Sequence, residues 1–188
     1  MERNTEIKIR IDTATRFNTI IEQAQKHGKS QILYQVDTYY PTNDKTLRVK
    51  TRSIRTEAIE KTEHQFIVYK RPSSEDCRLS AFSKTEITDF VPFATKLLQQ
   101  YGPPEVVVEK TRVVVILDQT RIHLDTVKNL ASPYFIELEV MLRPQQTHQQ
   151  GQEIVNKVLD ILTITQEERT KQVIRGSYRE MLLPTYRR

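Results

Sequence analysis

The chain has 188 residues, 28% charged and 37% hydrophobic, with a formal net charge of +5 and a pI near 9.3. It is long enough for one domain with a sizeable core, has no apolar run able to cross a bilayer, and its opening Met1-Glu2-Arg3-Asn4 lacks the apolar stretch of a signal peptide, so a cytoplasmic setting is expected. One cysteine, Cys77, excludes an internal disulfide and a thiolate zinc cluster, while the basic excess favours an anionic partner.

The first expected element is a strand over residues 5–11, where Glu6, Lys8 and Arg10 interleave with Ile7, Ile9 and Ile11. Successive strand side chains point to opposite faces, so this segment presents ionised groups to one side and aliphatic bulk to the other. Asp12 or Thr13 can cap a helix whose Phe17, Ile20, Ile21 and Ala24 recur at helical spacing, with Gly28 as its stop. Strands are expected over 32–40, 46–52, a short stretch near 54–59, 65–70 and 79–87, with Pro41-Thr42-Asn43-Asp44 as a tight connection.

A second helix is expected from near Val91 to Tyr101, closed by Gly102-Pro103-Pro104. Strands over 106–117, 121–127 and 135–142 follow, with Asp118-Gln119 as a hairpin turn. A glutamine-rich stretch containing Gly151 then precedes a third helix carrying Ile154, Val155, Val158, Leu159 and Leu162, and residues 177–183 form a short terminal helix. Helices with one apolar face must bury it, and the aliphatic backs of the strands are the available surface.

The alternation recurs in Arg48, Lys50 and Arg52 and in Glu137 and Glu139. An antiparallel sheet with one solvated face would explain any one such row. If the sheet curls so that the rows face each other, the interior becomes a polar channel with cations at one wall and a polyanion at the other. Mg²⁺ and Mn²⁺ prefer hard oxygen ligands, and phosphates are held by Arg and Lys. Glu6, Glu137 and Glu139 are therefore the best ligand candidates, joined by Asp125, which shares a face with Arg121 and His123; Arg48, Lys50, Arg52, Lys70, Lys110 and Arg112 are the phosphate-holding candidates.

Other chemistries find less support. His27, His64, His123 and His148 show no zinc spacing, a lone histidine is more often structural, and no P-loop is present. Cys77 has no evident activating group, and Tyr39-Tyr40 reads as strand packing. Nucleic acid is not an expected partner, since the basic segment 45–71 lacks interleaved stacking aromatics and the chain has no Trp.

The ordered motifs resemble the CYTH superfamily, the triphosphate tunnel metalloenzymes that include class IV adenylyl cyclases and thiamine triphosphatases. They run through Asn4-Thr5-Glu6-Ile7-Lys8-Ile9-Arg10, Gln35-Val36-Asp37-Thr38-Tyr39-Tyr40, Leu47-Arg48-Val49-Lys50 and Tyr69-Lys70-Arg71-Pro72. They continue through Val108-Glu109-Lys110-Thr111-Arg112, Ile122-His123-Leu124-Asp125, Phe135-Ile136-Glu137-Leu138-Glu139 and Ser177-Tyr178-Arg179-Glu180-Met181-Leu182-Leu183.

The resemblance implies an α+β fold, an eight-stranded antiparallel β-barrel with helices packed outside, as one domain over residues 1–188. It implies a small-molecule triphosphate substrate, one or two Mg²⁺ or Mn²⁺ ions, no membrane, and a monomer or homodimer. By motif, Glu6, Glu137 and Glu139 take metal positions with Asp125 nearby; Lys8, Arg10, Arg48, Lys50, Lys70, Lys110 and Arg112 take substrate positions, with Lys8, Lys70 and Lys110 catalytic. Asn4 stands where the family has a further glutamate, Ala131-Ser132-Pro133-Tyr134 replaces a glycine turn, and the tryptophan of thiamine triphosphatases is missing; Arg187 and Arg188 are left unassigned. The expected function is metal-dependent triphosphate hydrolysis. The alternatives are conversion of ATP to cyclic AMP and pyrophosphate, or a binding module weakened by Asn4; RNA binding through residues 45–71 is a weaker reading.

Overall fold

A computed structural model describes residues 2–70 and 78–186. In chain order the elements are β1 (Glu2–Ile11), α1 (Ala14–Gln25), β2 (Ser30–Tyr40), β3 (Leu47–Thr56), β4 (Ile59–Lys70), β5 (Arg78–Glu86), α2 (Phe90–Tyr101), β6 (Val106–Leu117), β7 (Thr120–Val127), β8 (Tyr134–Met141), α3 (His148–Ile161), α4 (Gln166–Lys171) and α5 (Tyr178–Tyr186). The strands close a barrel in the order β1-β5-β4-β3-β2-β6-β7-β8. Every neighbouring pair is antiparallel. Among the described residues no helix is long and apolar enough to cross a membrane.

Strand alternation sends the apolar rows outward, where the helices cover them. Ile7, Ile9 and Ile11 of β1 share one core with Phe17, Ile20 and Ala24 of α1 and Val155, Val158 and Leu159 of α3. Helix α2 lays Leu97 with Phe93 on Tyr40, Val49 and Phe66, whereas α5 packs Tyr178 and Leu182 on the inward-facing Tyr39, Val106, Val108, Val127 and Phe135 at one end of the barrel. Each such buried side chain contributes roughly 1.5–3 kcal/mol. Two apolar clusters therefore lie between barrel and helices and a third fills one end of the barrel, leaving most of the charged side chains of the strands to the interior between.

Local signals place most boundaries. Thr13 caps α1 by accepting from the Arg16 backbone N–H, Gly102 ends α2 at φ 82°, and Asp118 takes φ 51° in the two-residue β6–β7 turn. The structure corrects three expectations and adds one helix. The short strand near 54–59 is the joined end of β3 and start of β4, with a register shift at Arg55 and Thr56. Gly28 does not stop α1, which ends at Gln25; a Cβ there would lie 2.6 Å from the Ile116 carbonyl oxygen, so the glycine serves a close approach to β6. Helix α4, unexpected from apolar spacing, is set by a capping box of Thr165 and Glu168.

Gly151 lies inside α3, because Thr147 and Gln150 form a capping box that starts the helix three residues earlier. A Cβ at Gly151 would fall 2.7 Å from Thr5 Cβ and 2.9 Å from Leu142 Cδ2, so the glycine lets α3 lie directly on β1. Gly151→Ala is expected to lower stability by about 1–3 kcal/mol despite alanine's better helix propensity. Chemical denaturation checks it; an unchanged or raised midpoint would show that α3 can shift away freely.

Candidate functional site

The inward residues surround one cavity of about 340 Å³. On one wall β1, β8 and β7 stand side by side. Their register sets Glu6 opposite Glu139, Lys8 opposite Glu137, and His123 opposite Glu137. Lys8 Nζ lies 2.8 Å from Glu137 Oε2, and His123 Nδ1 lies 3.4 Å from Glu137 Oε1. His123, Glu137 and Glu139 each offer one ligand atom within 4.8 Å of the others.

Burial pushes the Glu137 carboxyl up, but Lys8, the His123 hydrogen bond and Arg112 together hold it well below the usual carboxylate range. Glu6 and Glu139 are like charges directly opposite on adjacent strands, a destabilising arrangement that a cation offsets. The carboxylate oxygens are hard donors that fit Mg²⁺ or Mn²⁺, and the His123 nitrogen beside them suits Mn²⁺ rather than Mg²⁺.

The other wall is built around Asp37 on β2. Its Oδ2 accepts from Lys50 Nζ at 2.8 Å and Arg52 Nη2 at 2.8 Å, its Oδ1 from Arg52 Nε at 2.7 Å, and Lys110 Nζ stands 3.8 Å away. Burial alone would raise the Asp37 carboxyl, but Arg52, Lys50 and Lys110 hold it well below its ordinary value. Beside it, Arg112 donates to Asp125 Oδ1 at 2.6 Å and Oδ2 at 2.7 Å. Among the described residues seven basic ones line the cavity, Lys8, Lys50, Arg52, Lys84, Lys110, Arg112 and Arg121, against the carboxylates Glu6, Asp37, Glu137 and Glu139. Positive charge is in excess.

One end of the barrel carries Tyr178 of α5. Its hydroxyl donates to Asp125 Oδ2 at 2.7 Å, and its ring lies under Lys8 Nζ at 4.1 Å and Lys110 Nζ at 5.1 Å. Burial, with the Asp125 and Glu137 charges, pushes the Tyr178 phenol well above its usual value, so it remains a donor.

Glu6, Lys8, Lys50, Arg52, Lys110, Arg112, Glu137 and Glu139 all line the cavity. Four expected residues fall elsewhere. Lys70 is exposed, because β4 turns Gln65, Ile67 and Tyr69 inward and the next residue outward. Arg10 lies beyond the cavity wall, donating to Gln172 Oε1 at 2.9 Å. Arg48 has the inward parity but is drawn to the rim, where it donates to the Lys45 carbonyl at 2.6 Å and meets Glu180 at 3.3 Å. Asp125 is fully buried behind the wall, with both oxygens engaged by Arg112 and Tyr178; it positions Arg112 and is not placed as a metal ligand.

Asp37, the centre of the basic wall, was missed, although Gln35, Asp37 and Tyr39 alternate as regularly as the charge rows. His123, which shares a charged row with Arg121 and Asp125, shows no local zinc spacing because its partners Glu137 and Glu139 come from β8. Tyr40 packs outward under α2 as expected, whereas Tyr39 lines the cavity. Cys77, Arg71, Arg187 and Arg188 lie outside the described residues.

Burial and then the Arg112 charge bring the Lys110 ammonium down to about 7, against the pull of Asp37 and Asp125. The protonated form holds an anion better. Triphosphate affinity should therefore fall as pH rises from 6 to 9, by at most about tenfold per unit, and Lys110→Arg should flatten the profile. Calorimetry across that range checks this, and a flat wild-type profile would refute it. Asp37→Ala leaves three buried cations without their carboxylate and should lose about 3–5 kcal/mol, part of it recovered on adding inorganic triphosphate. Thermal melts with and without the anion provide the measurement.

The family model of the CYTH domain matches residues 2–177. No curated protein matches the chain significantly. Among solved structures, the PH1819 protein of Pyrococcus horikoshii OT3 is 23% identical with a TM-score of 0.78, covering 97% of this chain and 99% of its own. A candidate adenylate cyclase from Vibrio parahaemolyticus is 19% identical with a TM-score of 0.69, covering 97% and 99%. A candidate adenylyl cyclase from Hippeastrum, named for a dominant triphosphatase activity, is 12% identical with a TM-score of 0.63, covering 97% and 95%. At these identities the likeness is one of fold.

Proposed function

The chain belongs to the CYTH domain family, and we propose that it is a divalent-metal-dependent phosphohydrolase acting on a triphosphate-containing substrate held inside the barrel. The observation that carries this reading is the facing of two walls across one cavity: Glu6, Glu137, Glu139 and His123 on one side, and Lys50, Arg52, Lys110 and Arg112 on the other. Phosphoryl transfer is catalysed chiefly by positioning and charge neutralisation, which is what such walls supply.

Lys50, Arg52, Lys110 and Arg112 bind the phosphate oxygens, and Asp37 and Asp125 hold those cations in place. Glu6, Glu137, Glu139 and His123 would hold Mg²⁺ or Mn²⁺, which supplies Lewis-acid polarisation of the phosphate oxygens. Lys8, stacked on Tyr178 and paired with Glu137, adds positive charge near the transferring group. Water attacks the terminal phosphorus, the bond to the bridging oxygen breaks, and diphosphate and phosphate leave; Glu139, which among the described residues meets Arg121 at 3.9 Å, can accept the water's proton.

Incubation with inorganic triphosphate and with ATP, each with Mg²⁺ or Mn²⁺, should release phosphate. Glu6→Gln and Glu139→Gln should each reduce kcat/KM by about a hundredfold or more, the scale of losing one electrostatic stabiliser, and raise the metal concentration needed. Full activity in both variants would remove these residues from the site. Cyclic AMP with pyrophosphate from ATP would replace hydrolysis by the cyclase reading, and triphosphate binding without turnover would select the binding module.

A further inference from the structure

Glu137 sits between two cations. Lys8 Nζ lies 2.8 Å from its Oε2 and Arg112 Nη2 lies 3.4 Å from its Oε1, on the carboxylate that shares the acidic wall with His123 and Glu139. Both are rivals of a divalent ion, since each engages an oxygen that the ion would take. Lys8 is 6% exposed and Arg112 3%. A buried cation that gives up its carboxylate is costly unless another partner holds it.

Tyr178 engages both cations, by different parts. Its ring lies under Lys8 Nζ at 4.1 Å, a cation–π contact away from solvent. Its hydroxyl donates to Asp125 Oδ2 at 2.7 Å, and Asp125 in turn takes Arg112 Nε on Oδ1 at 2.6 Å and Nη2 on Oδ2 at 2.7 Å. The same Nη2 thus serves Asp125 at 2.7 Å and Glu137 at 3.4 Å, and the shorter contact is to the carboxylate that the hydroxyl fixes.

Packing alone does not call for that hydroxyl. Tyr178 belongs to an apolar cluster with Val108, Val127, Phe135 and Leu182, and its ring meets Phe135 edge-on at 5.0 Å. Phenylalanine would fill the space without burying a polar atom, so the hydroxyl answers to Asp125 and, behind it, to Arg112.

Resting on the reading of Glu6, Glu137, Glu139 and His123 as the metal wall, we propose that Tyr178 is a positioning residue for that site: its ring holds Lys8, and its hydroxyl, through Asp125, holds Arg112, when Glu137 turns from them to a divalent ion. Helix α5 thereby sets the affinity of a metal site built on β1, β7 and β8, to which it supplies no ligand.

Mn²⁺ titrations of the protein without phosphate, followed by the electron paramagnetic resonance of the unbound ion, read this affinity independently of turnover. Tyr178→Leu should weaken Mn²⁺ on the order of tenfold, the scale for residues behind a metal's ligands, and Tyr178→Phe, which keeps the ring, about threefold. Asp125→Asn should weaken it as well, and adding Tyr178→Phe to that variant should cost nothing further. Leu182→Ala is the control for packing: it thins the same cluster and lowers the melting temperature but should leave Mn²⁺ affinity unchanged. Unchanged affinity in Tyr178→Leu or in Asp125→Asn, a Tyr178→Phe effect that persists in full beside Asp125→Asn, or an equal loss in Leu182→Ala would overturn the proposal; should one variant not fold, the other decides. Mn²⁺ bound with wild-type affinity by every variant removes this inference and leaves the metal wall standing, whereas a wild-type protein that binds no Mn²⁺ removes both.

Discussion

Burying an ionised group without a partner costs several kcal/mol, and this barrel encloses many of them. The arrangement holds because cations and carboxylates are matched in small sets: Asp37 with Lys50, Arg52 and Lys110, Asp125 with Arg112, and Glu137 with Lys8. Each carboxylate stays ionised against its own burial because its cations outweigh the desolvation. Matching also immobilises long side chains that would otherwise sample many rotamers. Guanidinium and ammonium groups are thereby fixed before any ligand arrives, and their unbalanced positive charge is what a polyanion can neutralise.

The same alternation that turns charge inward supplies the apolar adhesive outside. Ile7, Ile9 and Ile11 occupy the opposite face of the strand that carries Glu6 and Lys8. A slip of one residue in β1 would exchange the two sets, placing isoleucines in the pore and charges beneath α1 and α3. The close seat of Gly151 over Thr5 works against such a slip by fitting α3 to one face of β1 only.

This is also why so much of the molecule could be read from residue order. A period of two identifies which side chains share a face, and the rows on β1, β3 and β8 contain Glu6, Lys8, Lys50, Arg52, Glu137 and Glu139 of the cavity lining. Period alone does not say where a wall ends. Arg48 and Lys50 share a face, yet Arg48 is captured at the rim by Glu180, a partner 132 positions away. Lys70 is expected among the phosphate-holding residues, whereas the parity of β4 turns Tyr69 inward. His123 and Asp37 gain their meaning from neighbours on other strands, and only the register of the closed sheet supplies those. Helix α4 carries its start signal in Thr165 and Glu168 but no apolar stripe, so it needed β1 beside it to be recognised.

Helix α5 is fastened to the barrel at separate points: Tyr178 to Asp125 on β7, Arg48 on β3 to Glu180, and Arg179 to Glu105 just before β6. With Tyr178 standing across that end and Leu182 buried behind it, the described part of the barrel behaves as a blind alley. Whatever enters last must back out first. For a ligand lying with its phosphates toward Tyr178, the fragment nearest the open mouth departs before the deeper one, so the inner fragment would act as a competitive inhibitor until it is cleared.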